Sequence, residues 1–167
     1  SVERAVFDPA LPTIVETDAS YDGIAAVLLQ QHPSSATPRP VLCISRLLTA
    51  AEKKYAPPEI ECLALVWALK RKLRPYLYLR PFEIITDHRS LIWLWKSRDI
   101  SSRLFRWWLD LSEFQFTIRH RPGKFNYLPD YLSRHPNPDA STDSSSEILP
   151  IDDNFPWPVA EPIKDDF

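Results

Sequence analysis

Residues 13–30 contain the feature that most constrains the fold, two apolar, β-prone runs joined by a short turn. The runs span residues 13–19 and 23–30, and residues 21–23 supply the turn chemistry of a hairpin. Asp18 lies near the end of the first run. Taken alone it is most simply a turn-capping residue. A carboxylate near the end of a largely buried strand is costly, however, unless it is paired, hydrogen-bonded or bound to a metal.

The remainder of the chain predicts one α/β domain in which a mixed sheet is flanked by helices. Ile60, Leu63 and Trp67 recur at helical spacing, and Pro58 suits the first residue of that helix. Residues 114–120 alternate strictly between apolar and polar, as a strand does. The sheet is expected to have five strands, an antiparallel meander plus two further strands reached through helices. The predicted elements are strands at 13–19, 23–30, 41–45, 82–86 and 114–120, and helices at 49–55, 58–73, 90–96, 101–111 and 127–134.

Composition divides the chain into three parts. Residues 1–12 are a lead-in with two prolines, residues 13–135 form the domain, and residues 136–167 are an acidic, Pro- and Ser-rich tail that we expect to be largely disordered. Because the chain begins at Ser1 rather than Met, we expect it to be an excised part of a longer protein.

The charge of the chain is unevenly distributed. The tail has eight acidic residues against Lys164 alone, a net charge of −7, and the whole chain carries −2, so residues 1–135 carry +5. A basic body is compatible with a polyanionic partner.

Cysteine usage and hydropathy indicate an intracellular protein. Cys43 and Cys62 lie in apolar runs and are expected to be reduced core residues. No stretch has the length of a membrane span or the pattern of a signal peptide, so no membrane partner is expected.

Four acidic residues stand at chemically suggestive positions: Asp18, Glu61, Asp87 and Asp130. Each has an ordinary role open to it, since Glu61 is in the first turn of a helix, Asp87 could cap the next helix and Asp130 could be a surface charge. If strands one and four are neighbours, Asp18 and Asp87 converge at one edge. Clustered carboxylates favour Mg²⁺ or Mn²⁺ over zinc and suit two-metal phosphoryl chemistry.

These residues belong to motifs that resemble the ribonuclease H domain of gypsy-class LTR retrotransposon polyproteins. The resemblance covers residues 5 to about 135. Phe7-Asp8-Pro9, before the first strand, resembles the connection from the reverse transcriptase part of such polyproteins. The motifs that carry it are Thr17-Asp18-Ala19-Ser20, Glu61-Cys62-Leu63-Ala64, Thr86-Asp87-His88 with Leu91, and Gly123-Lys124-Phe125-Asn126 through Asp130-Tyr131-Leu132-Ser133-Arg134.

The resemblance implies a ribonuclease H fold and an endonuclease that cuts the RNA strand of an RNA/DNA hybrid. Asp18 would bridge two Mg²⁺ or Mn²⁺ ions, Glu61 and Asp87 would hold the ion on the leaving-group side, and Asp130 would hold the ion that activates water. The products would end in 3′-hydroxyl and 5′-phosphate groups. The resemblance also implies a reverse transcriptase upstream, an integrase downstream, and a cytoplasmic location in virus-like particles, with the nucleus as an alternative.

Two further sets of residues are predicted to assist. His120 stands ten residues before Asp130, where cellular ribonucleases H place a loop histidine that assists turnover and gypsy-class relatives often have Tyr; a strand-end histidine is the alternative. A hybrid is recognised through shape, phosphate and 2′-hydroxyl contacts, so little sequence specificity is expected. For each basic candidate, a solvated surface charge is the alternative. The candidate substrate contacts are Ser20, Tyr21, Arg46, Arg89, Arg121 and Lys124.

Two rival functions remain open, and so does the effect of Pro129 on the position of Asp130. A non-catalytic tether of the same fold, between polymerase and integrase, is one rival. An integrase core is the other, but it would need a helical Glu about 35 residues after the second Asp, where this chain has Asp110 and Glu113 on a Trp-rich helix. Pro129 is tolerated only in the first turn of a helix, so a helix that begins earlier would displace Asp130.

Overall fold

The computed structural model describes residues 6–87, residues 102–121 and the backbone of residues 147–149. The strands are β1 (Thr13–Ala19), β2 (Gly23–Gln30), β3 (Arg39–Leu47), β4 (Pro81–Thr86), β5 (Gln115–His120) and β6 (Glu147–Leu149). The helices are α1 (Pro57–Val66), a π-helical segment (Trp67–Lys72), α2 (Arg74–Leu77) and α3 (Ser102–Leu111), with a 3₁₀ turn at Glu52–Lys54.

The strands form one mixed sheet in the order β5-β4-β1-β2-β3-β6. β1, β2 and β3 are the antiparallel meander, whereas β4 pairs in parallel with both β1 and β5. The five strands predicted from the sequence therefore all form, and the predicted mixed sheet flanked by helices is confirmed. Strand β3 extends further at both ends than the predicted residues 41–45.

The first hairpin is closed by Ser20 and Gly23. The amide of Ser20 donates to the carbonyl of Gly23 at 2.9 Å, and the amide of Gly23 donates to Ser20 Oγ at 3.2 Å. A Cβ on residue 23 would lie 2.9 Å from the backbone carbonyl oxygen of Arg46 on β3. The close approach of the third strand, rather than an unusual dihedral angle, is what requires glycine here.

The core lies between one face of the sheet and helix α1. Val15, Leu28 and Ile84 from three adjacent strands pack against Leu65 of α1. Successive side chains of a strand point to opposite faces, so the intervening residues, such as Val27 and Leu29, form a smaller cluster on the other face with Cys43.

Both cysteines are buried and unbridged, as predicted. Burial raises the pKa of each thiol to about 12, which keeps both protonated and unreactive at neutral pH.

The helix predicted over residues 58–73 is present, but its second half is π-helical rather than α-helical. After Val66 the hydrogen-bond pattern widens, and the amide of Leu73 donates to the carbonyl of Ala68, five residues earlier, at 2.8 Å. Pro75 lies in the first turn of α2, where its missing N–H is not needed.

Thr49 and Glu52 have the sequence spacing of a capping box, and the box is present at the start of the element predicted over residues 49–55. The amide of Glu52 donates to Thr49 Oγ1 at 3.2 Å, and the amide of Thr49 donates to Glu52 Oε1 at 2.9 Å. The element it starts is a 3₁₀ turn rather than an α-helix, because Pro57 begins the next helix shortly afterwards.

The tail supplies an unexpected sixth strand. Ile148 pairs with Ile44, so β6 extends the sheet beyond β3. The outer edge of β3 offers unpaired backbone groups, and Ile148-Leu149 is a β-prone pair within a polar segment. The helices predicted at 90–96 and 127–134 lie outside the described residues. Within the described residues, no helix combines the length and apolarity needed to cross a bilayer.

Candidate active site

Three of the four predicted acids converge at one end of the sheet. Asp18 lies near the end of β1, and Asp87 follows directly after β4. The parallel pairing of these strands sets Glu16 opposite Ile85, and two more residues along that register bring Asp18 level with Asp87. Strands one and four are therefore neighbours, which is the condition under which Asp18 and Asp87 were expected to converge.

Glu61 brings the third carboxyl group to this end of the sheet from α1. Its side chain is buried, with 3% of the residue exposed. Burial, together with the negative charges of Asp18 and Asp87, raises the pKa of Glu61 to about 9. A carboxyl group so placed is protonated at neutral pH unless a cation offsets the neighbouring negative charge.

The donor chemistry of this trio fits a hard divalent cation. Carboxylate oxygens are the ligands that Mg²⁺ and Mn²⁺ prefer, and a cation would relieve the repulsion that Glu61 experiences. Over residues 6–87 and 102–121, no three His, Cys, Asp or Glu side chains are gathered tightly enough to enclose a metal ion. Asp130, the fourth predicted ligand, lies outside the described residues.

His120 lies at the end of β5 beside this trio. Its Nε2 is 3.1 Å from the backbone carbonyl oxygen of Asp87, and β5 pairs His120 with Thr86. In the tautomer that protonates Nε2, the ring donates a hydrogen bond to that carbonyl and so helps to fix the segment that carries Asp87. The assignment of His120 to turnover stays a prediction.

Arg121 forms an ion pair that sequence reasoning missed. Its Nη2 lies 2.5 Å from Oε1 of Glu16, and both side chains are largely buried. Burial raises the pKa of Glu16, and the charge of Arg121 opposes that rise. The only sequence signal for Glu16 is an acid in the middle of an apolar strand. Arg121 was predicted to contact substrate, and any such contact would have to share its guanidinium with Glu16.

The other described candidates have separate surroundings. Arg46 forms two hydrogen bonds to Glu52, at 2.7 and 2.9 Å, and its guanidinium lies over the Trp67 ring. Ser20 closes the hairpin turn, and Tyr21 beside it is 88% exposed. Tyr21 is therefore free to meet a macromolecular substrate without rearrangement of the core. Arg89 and Lys124 lie outside the described residues.

Relatives of this chain are retrotransposon polyproteins. It is 40% identical over 124 residues to the Pol polyprotein of the transposon gypsy from Drosophila melanogaster, a match covering 74% of this chain and 11% of the polyprotein. It is 37% identical over 161 residues to the Tf2-3 polyprotein of Schizosaccharomyces pombe, covering 89% of this chain and 12% of that protein. The chain thus spans about a tenth of the length of these relatives.

Solved structures share the fold at low sequence identity. A foamy viral protease–reverse transcriptase, solved in complex with an RNA/DNA hybrid, has a TM-score of 0.54 at 22% identity, covering 86% of this chain and 19% of that one. LC11-RNase H1, isolated from compost, has a TM-score of 0.53 at 13% identity, covering 72% and 91%. Both confirm the ribonuclease H-like fold.

The family itself is shown by the sequence over most of the domain. The model of the RNase H-like domain found in reverse transcriptase matches residues 8–114, a span that includes Asp18, Glu61 and Asp87. The predicted resemblance is therefore confirmed, and the chain belongs to the family of RNase H-like domains found in reverse transcriptases.

Proposed function

We propose that this domain is a metal-dependent endonuclease that hydrolyses the RNA strand of RNA/DNA hybrids during reverse transcription. The observation that carries the proposal is the convergence of Asp18, Glu61 and Asp87, with the pKa of Glu61 raised to about 9 by burial and by the other two. A buried acid beside two half-buried ones is destabilising in itself, and such costs are concentrated at functional sites.

The carboxylates have distinct roles in this proposal. Asp18 would hold both of two Mg²⁺ or Mn²⁺ ions, Glu61 and Asp87 would hold the ion on the leaving-group side, and Asp130 would hold the other. When bound, such a pair of ions activates a water molecule and stabilises the leaving oxygen of the phosphodiester, giving 3′-hydroxyl and 5′-phosphate ends.

Substrate binding would depend on the surface around the hairpin turn. Ser20 and Tyr21 lie two and three residues from Asp18, so a nucleic-acid backbone bound at the acids would meet them first. The similar foamy viral enzyme was solved with an RNA/DNA hybrid, which supports the same class of substrate here. Recognition of the hybrid by shape and backbone predicts little sequence preference.

The setting we propose is a polyprotein. Curated relatives extend far beyond the length of this chain, and a reverse transcriptase upstream and an integrase downstream would place the domain at the site where hybrids are made. Cytoplasmic virus-like particles are the proposed location.

The proposal is tested by cleavage of a labelled RNA/DNA hybrid in Mg²⁺ or Mn²⁺. Single-stranded RNA, duplex RNA and duplex DNA of the same sequence serve as control substrates, and Asp87→Asn is the control variant. We expect the RNA strand of the hybrid alone to be cut, only with metal, and with 5′-phosphate products. A folded wild-type chain that cuts none of the substrates would favour the non-catalytic tether.

A further inference from the structure

A buried carboxylate that the proposed chemistry does not use lies two residues before Asp18. Glu16 is on β1, and 6% of it is exposed. Its neighbour Val15 is part of the core under α1, so the side chain of Glu16 leaves the opposite face of the sheet. On β4 the register partner of Glu16 is Ile85, two residues before Asp87, so Glu16 lies close to the candidate active site.

Two contacts from the end of β5 meet at the end of β4, and a third reaches β1. The ring Nε2 of His120 lies 3.1 Å from the carbonyl oxygen of Asp87, and the amide of Arg121 donates to the carbonyl of Thr86 at 2.7 Å. The guanidinium of Arg121 then reaches Glu16, with Nη2 2.5 Å from Oε1. Since β4 lies between β1 and β5, this ion pair crosses the strand that ends in Asp87.

The cost of burying the pair needs an explanation other than stability. Removing two charges from water offsets most of their attraction, so a buried ion pair is weak support for the fold. A pair of this kind does fix geometry, because a charge-assisted hydrogen bond is short and directional and its loss leaves an unpaired buried charge. The strands joined here are those that carry Asp18 and Asp87.

We propose that Glu16 and Arg121 form a positioning pair that ties β5 across β4 to β1 and thereby holds Asp87 in place relative to Asp18. The inference rests on the proposed function, since the geometry it protects is that of the metal-binding acids. Glu16 and Arg121 are not themselves ligands in this scheme, and the guanidinium of Arg121 acts on the substrate only through the positions of the two aspartates.

The clean test is the double variant Glu16→Gln with Arg121→Gln. It removes both charges together, so the net charge near the acids stays the same and the fold is not left with an unpaired buried charge. The readouts are Mn²⁺ affinity by calorimetry without nucleic acid, hydrogen exchange of the backbone amide at position 121, and the melting temperature.

The matched control is Glu83→Gln with Arg119→Gln, which removes a 3.1 Å ion pair between β4 and β5 that lies further from Asp87 and is more exposed than the Glu16–Arg121 pair. We expect the Glu16→Gln, Arg121→Gln double variant to bind Mn²⁺ roughly tenfold more weakly than wild type, in line with the loss of a supporting partner. Its backbone amide at position 121 should exchange faster. The control pair should leave both unchanged.

The outcomes separate this inference from the function it rests on. If the double variant binds Mn²⁺ as tightly as wild type and its amide at position 121 exchanges at the wild-type rate, the positioning role is overturned and the proposed metal site stands. A wild-type chain that takes up no Mn²⁺ overturns the proposed metal site and this inference with it. If the double variant fails to fold, Glu16→Asp gives the same comparison, because it keeps the charge but withdraws it by one methylene group.

Discussion

Glu61 on α1 and Asp18 on β1 are close enough for the charge of Asp18 to raise the pKa of the Glu61 carboxyl. The two residues are 43 positions apart in the chain and come together because α1 packs on the face of the sheet beside β1. Together with Asp87, these two residues form the candidate active site.

The metal-free protein should lose stability as the pH rises. The pKa of Glu61 is raised from 4.5 to about 9, so the folded state binds this proton more tightly than the unfolded state. Its contribution is fully present below pH 4.5 and is lost as the pH approaches about 9. Urea unfolding in EDTA across this range should show the decline.

Glu61→Gln should flatten that decline, because glutamine has no proton to lose. Some slope should remain, since the pKa of Glu16 is also raised. A variant whose unfolding free energy follows the same pH dependence as wild type would contradict the placement of Glu61.

Divalent metal should stabilise the fold through the acids. Mg²⁺ that binds only the native state raises the free energy of unfolding, by about 2.7 kcal/mol at roughly 100 times its Kd. Asp18→Asn removes the proposed bridging carboxylate and should reduce the rise in melting temperature. Wild-type melting curves that are the same with and without Mg²⁺ would contradict the proposed metal site.

Leu79 should accept glycine with a gain in stability. Its φ is 60°, in the left-handed region, and the side chain is 69% exposed, so little packing is lost. Relief of the left-handed strain is worth about 1 kcal/mol. Tyr78→Gly, at a neighbouring φ of −63°, is the control and should lower the melting temperature. Equal losses at both positions would show that the backbone at Leu79 is not strained.

Gly23→Ala should destabilise the first hairpin. The new methyl group would meet the Arg46 carbonyl oxygen at 2.9 Å, and a clash with backbone costs about 1–3 kcal/mol. Tyr21→Ala, in the same turn but exposed, should leave the unfolding free energy near that of wild type. A fully tolerated alanine at position 23 would mean that β3 can move away.

Local patterns were sufficient to predict the elements that depend on local chemistry. The hairpin of β1 and β2, the capping box at Thr49 and Glu52 and the alternation of β5 all follow from neighbouring residues, and all are present. The order Asp18, Glu61 and Asp87 along strand, helix and strand was also readable, because each acid lies within or directly after a strongly patterned element.

Features set by tertiary packing were not readable. The π-helical segment keeps the apolar spacing of an α-helix in the sequence. It is recognised only from its hydrogen-bond pattern, as in the bond from the amide of Leu73 to the carbonyl of Ala68. The pairing of Arg121 with Glu16 joins residues from two strands that are not sequence neighbours and requires the order β5-β4-β1. Strand β6 has three residues, too few for any periodicity to appear.

The proposed metal-dependent active site is tested most directly by a single-turnover rate. The rate is that at which wild type and Asp18→Asn cut the RNA strand of a hybrid in saturating Mg²⁺. Asparagine keeps the shape of the side chain and removes its charge, so the fold should persist while metal-dependent cutting falls by roughly 100-fold or more. Wild-type cleavage with an equal rate in Asp18→Asn, both folded, would contradict the assignment of this site.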